Sequence, residues 1–235
     1  MCKIVLFVEG QAEQIFVREM LLRCFAYDAD LLNICCLQLN AERFQSAEYD
    51  YGNEDATNYF LIINAGNDNK VLSVILRRYA GFIAQGYQAV IGLRDMYSRI
   101  YRELSPSVVD AKVNQEIITT VYKQLEEAGM SRAKVCFAIM EVETWMLALI
   151  DKWSGTITEA DIKKYFNPNG SLEDIYHPTE IVKAITSTSG ITYDKHSSQV
   201  NSIMANIGWE DYLMLYNSNR CPSFNTFVDS LAILR

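Results

Sequence analysis

The chain has 235 residues, of which 50% are hydrophobic and 11% are aromatic, and this composition excludes a disordered protein. The formal net charge of −8 excludes binding of nucleic acid through bulk positive charge, although local basic patches stay open. The two histidines, His177 and His196, disfavour a histidine-rich zinc site, so any bound metal is expected to be a hard cation held by oxygen.

The cysteine pattern and the hydropathy indicate the cellular compartment of the protein. The six cysteines show no C-x-x-C spacing, and several lie inside apolar runs, where a free thiol behaves as a small hydrophobic side chain. The first residues lack a signal-peptide pattern, and no apolar stretch reaches the length of a membrane-spanning helix. We therefore expect a cytoplasmic protein with reduced thiols and no membrane partner.

Apolar runs alternate with helical periodicity over the first 150 residues or so. The runs that predict strands are 3–8, 34–39, 59–64, 88–93 and 135–140. The segments that predict helices are 11–27, 70–85, 108–128 and the start of a further helix at 144–149. The polar segment 42–58 predicts a loop or an irregular insertion. This alternation predicts an α/β fold, a Rossmann-like and mostly parallel sheet with helices on both faces.

The character of the chain changes after Asp151, where strand-like runs stop. Short helical patterns follow at 159–166, 179–186, 198–217 and 223–234. We therefore predict two units: an α/β domain at 1–150 and a helical C-terminal extension at 151–235 that packs on it.

Three of the predicted strands end in carboxylates. These are Glu9, Asp95 and Glu141, with Glu143 two residues further on. The carboxyl ends of parallel strands meet at one edge of a sheet, where ligands gather. Clustered carboxylates repel one another unless a cation lies between them, and Mg²⁺ or Mn²⁺ is the usual solution. The alternative is that each acid only caps the helix that follows it.

Basic residues near Asp95 are candidates for phosphate binding. Arg94 and Arg99 flank it, and arginine pairs with phosphate through two hydrogen bonds. Alternatively, these arginines are solvated or paired with Glu103. The segment 195–197 (K-H-S) suggests a proton shuttle, but a lone histidine in a polar loop is more often solvated, and we favour this for His196. The chain has no G-x-x-x-x-G-K-[ST] motif, so any ATPase would be a separate polypeptide.

Four segments carry a resemblance to a known family. Residues 8–13 (V-E-G-Q-A-E) resemble the opening motif of Toprim domains, which occur in topoisomerases, primases and the overcoming-lysogenization-defect (OLD) nucleases. Residues 91–95 (I-G-L-R-D) lie where that family carries its D-x-D motif. Residues 138–148 (A-I-M-E-V-E-T-W-M-L-A) and 221–227 (C-P-S-F-N-T-F) are similar to a Toprim-like branch. That branch includes RloB-type and abortive-infection-type proteins found beside ATPases in phage-defence loci.

The resemblance implies an Mg²⁺-dependent or Mn²⁺-dependent phosphodiesterase or nuclease. Its substrate would be nucleic acid, with DNA favoured over RNA, and it would act in phage defence with a separate ATPase partner. The implied catalytic and metal-binding residues are Glu9, Asp95 and Glu141, supported by Glu13 and Glu143. Glu9 would act as a metal ligand or as a general acid or base.

One position departs from the family pattern. Tyr97 stands where the second aspartate of D-x-D is expected, and a phenol cannot supply that carboxylate. This departure leaves two alternatives open: a degenerate Toprim module that binds or regulates without catalysis, and a small-nucleotide phosphohydrolase. The oligomeric state is also open.

Overall fold

The computed structural model describes residues 1–233 apart from 48, 67, 154–156, 168, 169, 189, 191 and 196. The prediction for His196 therefore lies outside the described residues. None of the helices in this described part combines the length and the apolar content needed to cross a lipid bilayer.

The strands form one mixed sheet that is mostly parallel. They are β1 (Cys2–Val8), β2 (Leu32–Asn40), β3 (Arg43–Ser46), β4 (Tyr51–Gly52), β5 (Asn58–Asn64), β6 (Ala89–Asp95) and β7 (Ala133–Ala138). Their order is β3-β2-β5-β1-β6-β7, with β4 also paired to β2. The pairs from β2 through β5, β1 and β6 to β7 are parallel, whereas β3 and β4 run antiparallel to β2. The predicted α/β architecture is confirmed.

Helices cover both faces of the sheet. They are α1 (Gln11–Cys24), α2 (Asp68–Ala84), α3 (Arg99–Leu104), α4 (Ala111–Glu127), α5 (Glu143–Leu147), α6 (Glu159–Lys163), α7 (Pro178–Thr188), α8 (Ser197–Met204), α9 (Trp209–Ser218) and α10 (Pro222–Leu231). One apolar core lies under α2 and α4, and the other lies under α1 and the C-terminal helices. Because β1 leads to α1 on one face and β6 leads to α4 on the other, the chain changes face between these neighbouring strands. Ligands bind at such switch points in open α/β sheets.

Several elements differ from the sequence prediction. The segment 42–58, predicted as irregular, contains the edge strands β3 and β4, which are too short and too polar to show alternation. Helix α3 was not predicted, because six residues are too few for a helical period. The single helical pattern at 198–217 is two helices, since Gly208 begins α9 with its N–H bonded to Asp211 Oδ2 at 2.8 Å.

Trp145 joins the α/β layer to the C-terminal helices. Its ring is fully buried, stacks on Phe227 at 5.5 Å between centroids and contacts Phe224 edge-on at 5.4 Å. Its indole N–H donates to Ser223 Oγ at 2.9 Å. Trp145 is therefore a core residue.

Gly92 allows α2 to approach the middle of β6. A Cβ atom at this position would lie 2.9 Å from both Ile75 Cδ1 and Val71 Cγ1, closer than side-chain carbons pack. A glycine inside a strand thus marks a close approach of a neighbouring element. Gly81 on α2 is different, because a Cβ there would meet no atom of the described residues within 4 Å beyond its chain neighbours and the backbone of its own helix.

Gly92→Val should lower the free energy of unfolding by about 1–3 kcal/mol, the usual cost of overpacking a core. Gly81→Ala is the matched control and should raise stability by about 0.5–1 kcal/mol, because alanine is the better helix former. Urea unfolding followed by circular dichroism measures both. Equal stability of Gly92→Val and the wild type would contradict the packing described here.

Candidate metal centre

Glu9 lies directly after β1, at the carboxyl edge of the sheet. Its Oε2 accepts a hydrogen bond from the backbone N–H of Asp95 at 3.1 Å. Because β1 and β6 are parallel neighbours, the two strand ends reach the same place. The expectation that Glu9 and Asp95 meet at one edge is therefore confirmed.

Asp95 is the last residue of β6 and is only 5% exposed. Its Oδ1 accepts a hydrogen bond from the N–H of Val142 at 2.9 Å, which links the end of β6 to the turn after β7. Side chains alternate along a strand, so Asp95 shares the face of Leu93, under α1 and the C-terminal helices.

Glu141 and Glu143 follow β7 across a tight reversal. Met140 adopts a left-handed conformation with φ of 62°, and α5 begins at Glu143. Glu141 Oε2 accepts from the N–H of Thr179 in the first turn of α7 at 3.0 Å, so part of its role is a helix cap. Glu143 is fully buried, and its Oε1 accepts from the hydroxyl of Tyr193 at 2.7 Å.

These elements bring three carboxylates together. One oxygen each from Asp95, Glu141 and Glu143 lies within 4.8 Å of the others. Glu143, expected only to support the site, completes this group. Glu9 lies beside the group and, with Glu13, Asp95 and Lys195, lines a cavity of about 290 Å³.

Lys195 places a positive charge among these acids. Its Nζ lies 3.2 Å from Glu143 and 3.7 Å from Glu141 Oε1. Burial alone would lower the pKa of Lys195, but the surrounding carboxylates, Glu143 first, raise it above the ordinary value. Lys195 was not predicted as a site residue, since nothing in the spacing of a polar loop distinguishes this lysine from a surface one.

Burial raises the pKa of two of these acids, Glu13 and Asp95. Glu13 is 3% exposed, and burial raises its pKa, with Lys195 opposing and Glu143 adding to the effect. Burial also raises the pKa of Asp95 well above its ordinary value, and the charges of Glu13 and Glu9 raise it further. The site therefore favours uptake of a proton or of a cation.

The two arginines predicted to bind phosphate lie away from this cavity. Arg94 alternates to the opposite face from Asp95, and its guanidinium lies over the Phe137 ring at 5.5 Å. There it lines a second cavity, of about 530 Å³, between α2 and α4. Arg99 is 81% exposed on its side chain and pairs with Glu103 at 3.7 Å, which matches the alternative interpretation. Phosphate binding by either arginine stays a prediction.

The donor set fits a hard divalent cation. All three converging groups are carboxylates, the ligands that Mg²⁺ and Mn²⁺ prefer. This acidic cluster has the chemistry to hold a metal ion.

The buried charge of Asp95 predicts a pH dependence. A raised pKa in the folded state means that Asp95 stabilises the fold fully below its ordinary pKa of about 3.8, and that this stability is lost as the pH rises through the raised value. Asp95→Asn keeps the acceptor for Val142 but cannot ionise. In EDTA, the unfolding free energy of Asp95→Asn minus that of the wild type should increase from about pH 4 to about pH 8.

Urea denaturation across this pH range measures the difference between the two proteins. Glu126→Gln, which alters an exposed carboxylate on α4, is the matched control and should track the wild type at every pH. A difference between Asp95→Asn and the wild type that does not vary with pH would contradict the raised pKa.

Comparison of the chain with protein-family models, with curated proteins and with solved structures gave no match. The chemistry of this protein is therefore inferred from the geometry of its own site.

Proposed function

We propose that this chain is an Mg²⁺-dependent or Mn²⁺-dependent phosphodiesterase that cleaves nucleic acid. The observation that carries the proposal is the convergence of Asp95, Glu141 and Glu143 within 4.8 Å at the carboxyl edge of a parallel sheet. Acids buried this closely together are stable when a cation or a bound proton offsets their charge. A divalent ion supplies positive charge and, when bound, stabilises the charge on a phosphate and activates water.

In this proposal the chain's own residues divide the work. Asp95, Glu141 and Glu143 hold the cation. Glu9 either joins them as a ligand or accepts the proton of the attacking water, since it lines the same cavity. Glu13 adds negative charge from the first turn of α1.

Lys195 has a place in the same scheme. About a third of its side chain is exposed, so the ammonium reaches both the buried acids and the cavity. When a phosphodiester occupies the cavity, the ammonium pairs with a phosphate oxygen, as lysines do in phosphate sites. Lys195 thus attracts the phosphate, which the carboxylates alone would repel.

The substrate and partners follow from the family resemblance and from charge. With a net charge of −8, the chain must contact nucleic acid through local groups. The Toprim-like motifs favour DNA over RNA, a role in phage defence and a separate ATPase subunit.

A second candidate function is a regulatory or binding module without catalysis. The positions of Lys195 and Tyr97 favour it: the ammonium already neutralises part of the acidic cluster, and the phenol offers no carboxylate. Metal binding distinguishes the two functions.

Calorimetric titration should show Mn²⁺ binding to the wild type, because one oxygen from each of three carboxylates converges within 4.8 Å. Asp95→Asn should weaken the affinity at least tenfold, since it removes one charged ligand while keeping the bond to Val142. Glu126→Gln is the control and should bind like the wild type. Absence of Mn²⁺ binding at millimolar metal would favour the regulatory module.

Cleavage assays test the activity itself. The wild type should degrade DNA with Mg²⁺ or Mn²⁺ and not with EDTA, in a screen of supercoiled and linear DNA, single strands, RNA and free nucleotides. Glu9→Gln and Asp95→Asn should each lose about 100-fold or more in rate. Glu126→Gln should retain full activity. Undiminished metal-dependent cleavage in both site variants would overturn the proposal, and hydrolysis of nucleotides alone would point to a phosphohydrolase.

A further inference from the structure

Three aromatic side chains form a cluster between the end of β6 and the start of α7. The Tyr97 ring meets Tyr176 at 5.5 Å and His177 at 5.2 Å between centroids, and Tyr176 meets His177 at 4.5 Å. Each pair is arranged edge to face. We call Tyr97, Tyr176 and His177 the aromatic platform.

The aromatic platform is bonded directly to the segments that form the candidate metal centre. Tyr97 follows Asp95 by two residues, and its N–H donates to the carbonyl of Met140 at 2.8 Å, just before Glu141. On the other side, Thr179 follows His177 by two residues and donates its N–H to Glu141 Oε2 at 3.0 Å. These bonds tie the aromatic platform to the segments that carry the acidic cluster, at the same edge of the sheet, while Tyr97 and Tyr176 pack against the core under α2 and α4.

The aromatic platform is held rigidly and still reaches solvent. The Tyr176 hydroxyl donates to the carbonyl of Ser105 at 2.6 Å, which fixes that ring against the end of α3. His177 is exposed, and Tyr97 is half-buried. The exposed Arg102 places its guanidinium 5.7 Å from the Tyr97 ring centroid and brings positive charge to the rim.

We propose that the aromatic platform stacks an unpaired nucleobase of the substrate beside the phosphate to be cleaved. The substrate class is then single-stranded or locally unpaired nucleic acid. This inference rests on the proposed phosphodiesterase function and names its substrate.

Two physical arguments support an unpaired base as the ligand. Bases in a duplex are stacked on one another and cannot offer a face to His177 or Tyr97, whereas a single strand presents every base face. A chain with a net charge of −8 has no bulk attraction for phosphate. Stacking on aromatic rings, aided by Arg102, supplies affinity that does not depend on bulk charge.

Binding in EDTA tests the inference without any dependence on cleavage or metal. Fluorescence anisotropy with labelled oligothymidylate should give a Kd that rises about tenfold in His177→Ala and in Tyr97→Ala, the usual cost of losing one stacked base. Tyr97→Phe keeps the ring and should bind like the wild type. Tyr122→Ala removes an exposed tyrosine on α4, away from the aromatic platform, and should also leave the Kd unchanged.

Comparison probes separate stacking from general effects. A duplex of the same length and an abasic strand, which has the phosphates without bases, should bind the wild type and His177→Ala equally. The inference is overturned if oligothymidylate does not bind the wild type. It is also overturned if both alanine variants bind oligothymidylate unchanged, or if they lose affinity for all three probes alike.

The metal titration keeps this inference distinct from the proposed function. Both alanine variants should bind Mn²⁺ as the wild type does, because neither ring supplies a metal ligand. If the wild type binds Mn²⁺ but both alanine variants bind oligothymidylate as the wild type does, only the role proposed for the aromatic platform is overturned. If the wild type does not bind Mn²⁺, the proposed phosphodiesterase function is overturned, whatever the oligonucleotide result.

Discussion

Burial of several carboxylates around one ammonium is the constraint on which this structure depends. Glu13, Asp95 and Glu143 are almost fully removed from solvent, and Glu9 and Glu141 lie beside them. Ionised acids in such surroundings destabilise the fold unless a positive charge is close. Lys195 meets part of this need, and the raised pKa values of Asp95 and Glu13 show that part of it is unmet. A bound cation or a bound proton would offset the charge that Lys195 leaves unmatched.

The same constraint ties the C-terminal helices to the sheet. The segment between α7 and α8 supplies both the Lys195 ammonium and the Tyr193 hydroxyl that bond to Glu143. Trp145, two residues after Glu143, packs against α10 in a core that includes residues from β1 as well as from α10. The acidic cluster and the helical extension therefore depend on each other: Lys195 of the extension offsets part of the acidic charge, and Trp145 of α5 packs against α10.

The sequence could predict the strand-end acids because two simple rules applied to them. Buried apolar runs mark parallel strands, and parallel strands end at one edge, which brings Glu9 and Asp95 together. Lys195 could not be predicted, since a loop lysine distant in the chain reaches the site only through the packing of α7 and α8. Because side chains alternate along a strand, residues 94 and 95 lie on opposite faces of β6. The sequence alone could therefore have predicted that Arg94 lies away from Asp95.

The aromatic side chain of Tyr97 is consistent with the charge of the site. A second aspartate at this position would add another negative charge beside Asp95, whose pKa is already raised by Glu13 and Glu9. A site with two divalent ions tolerates that extra acid, because the second ion neutralises it. With Lys195 as a fixed cation and no aspartate at position 97, the site needs less added positive charge, and position 97 is available for a ring. Tyr97 and Lys195 are therefore best understood together, as two features of one arrangement with fewer acids and one built-in cation.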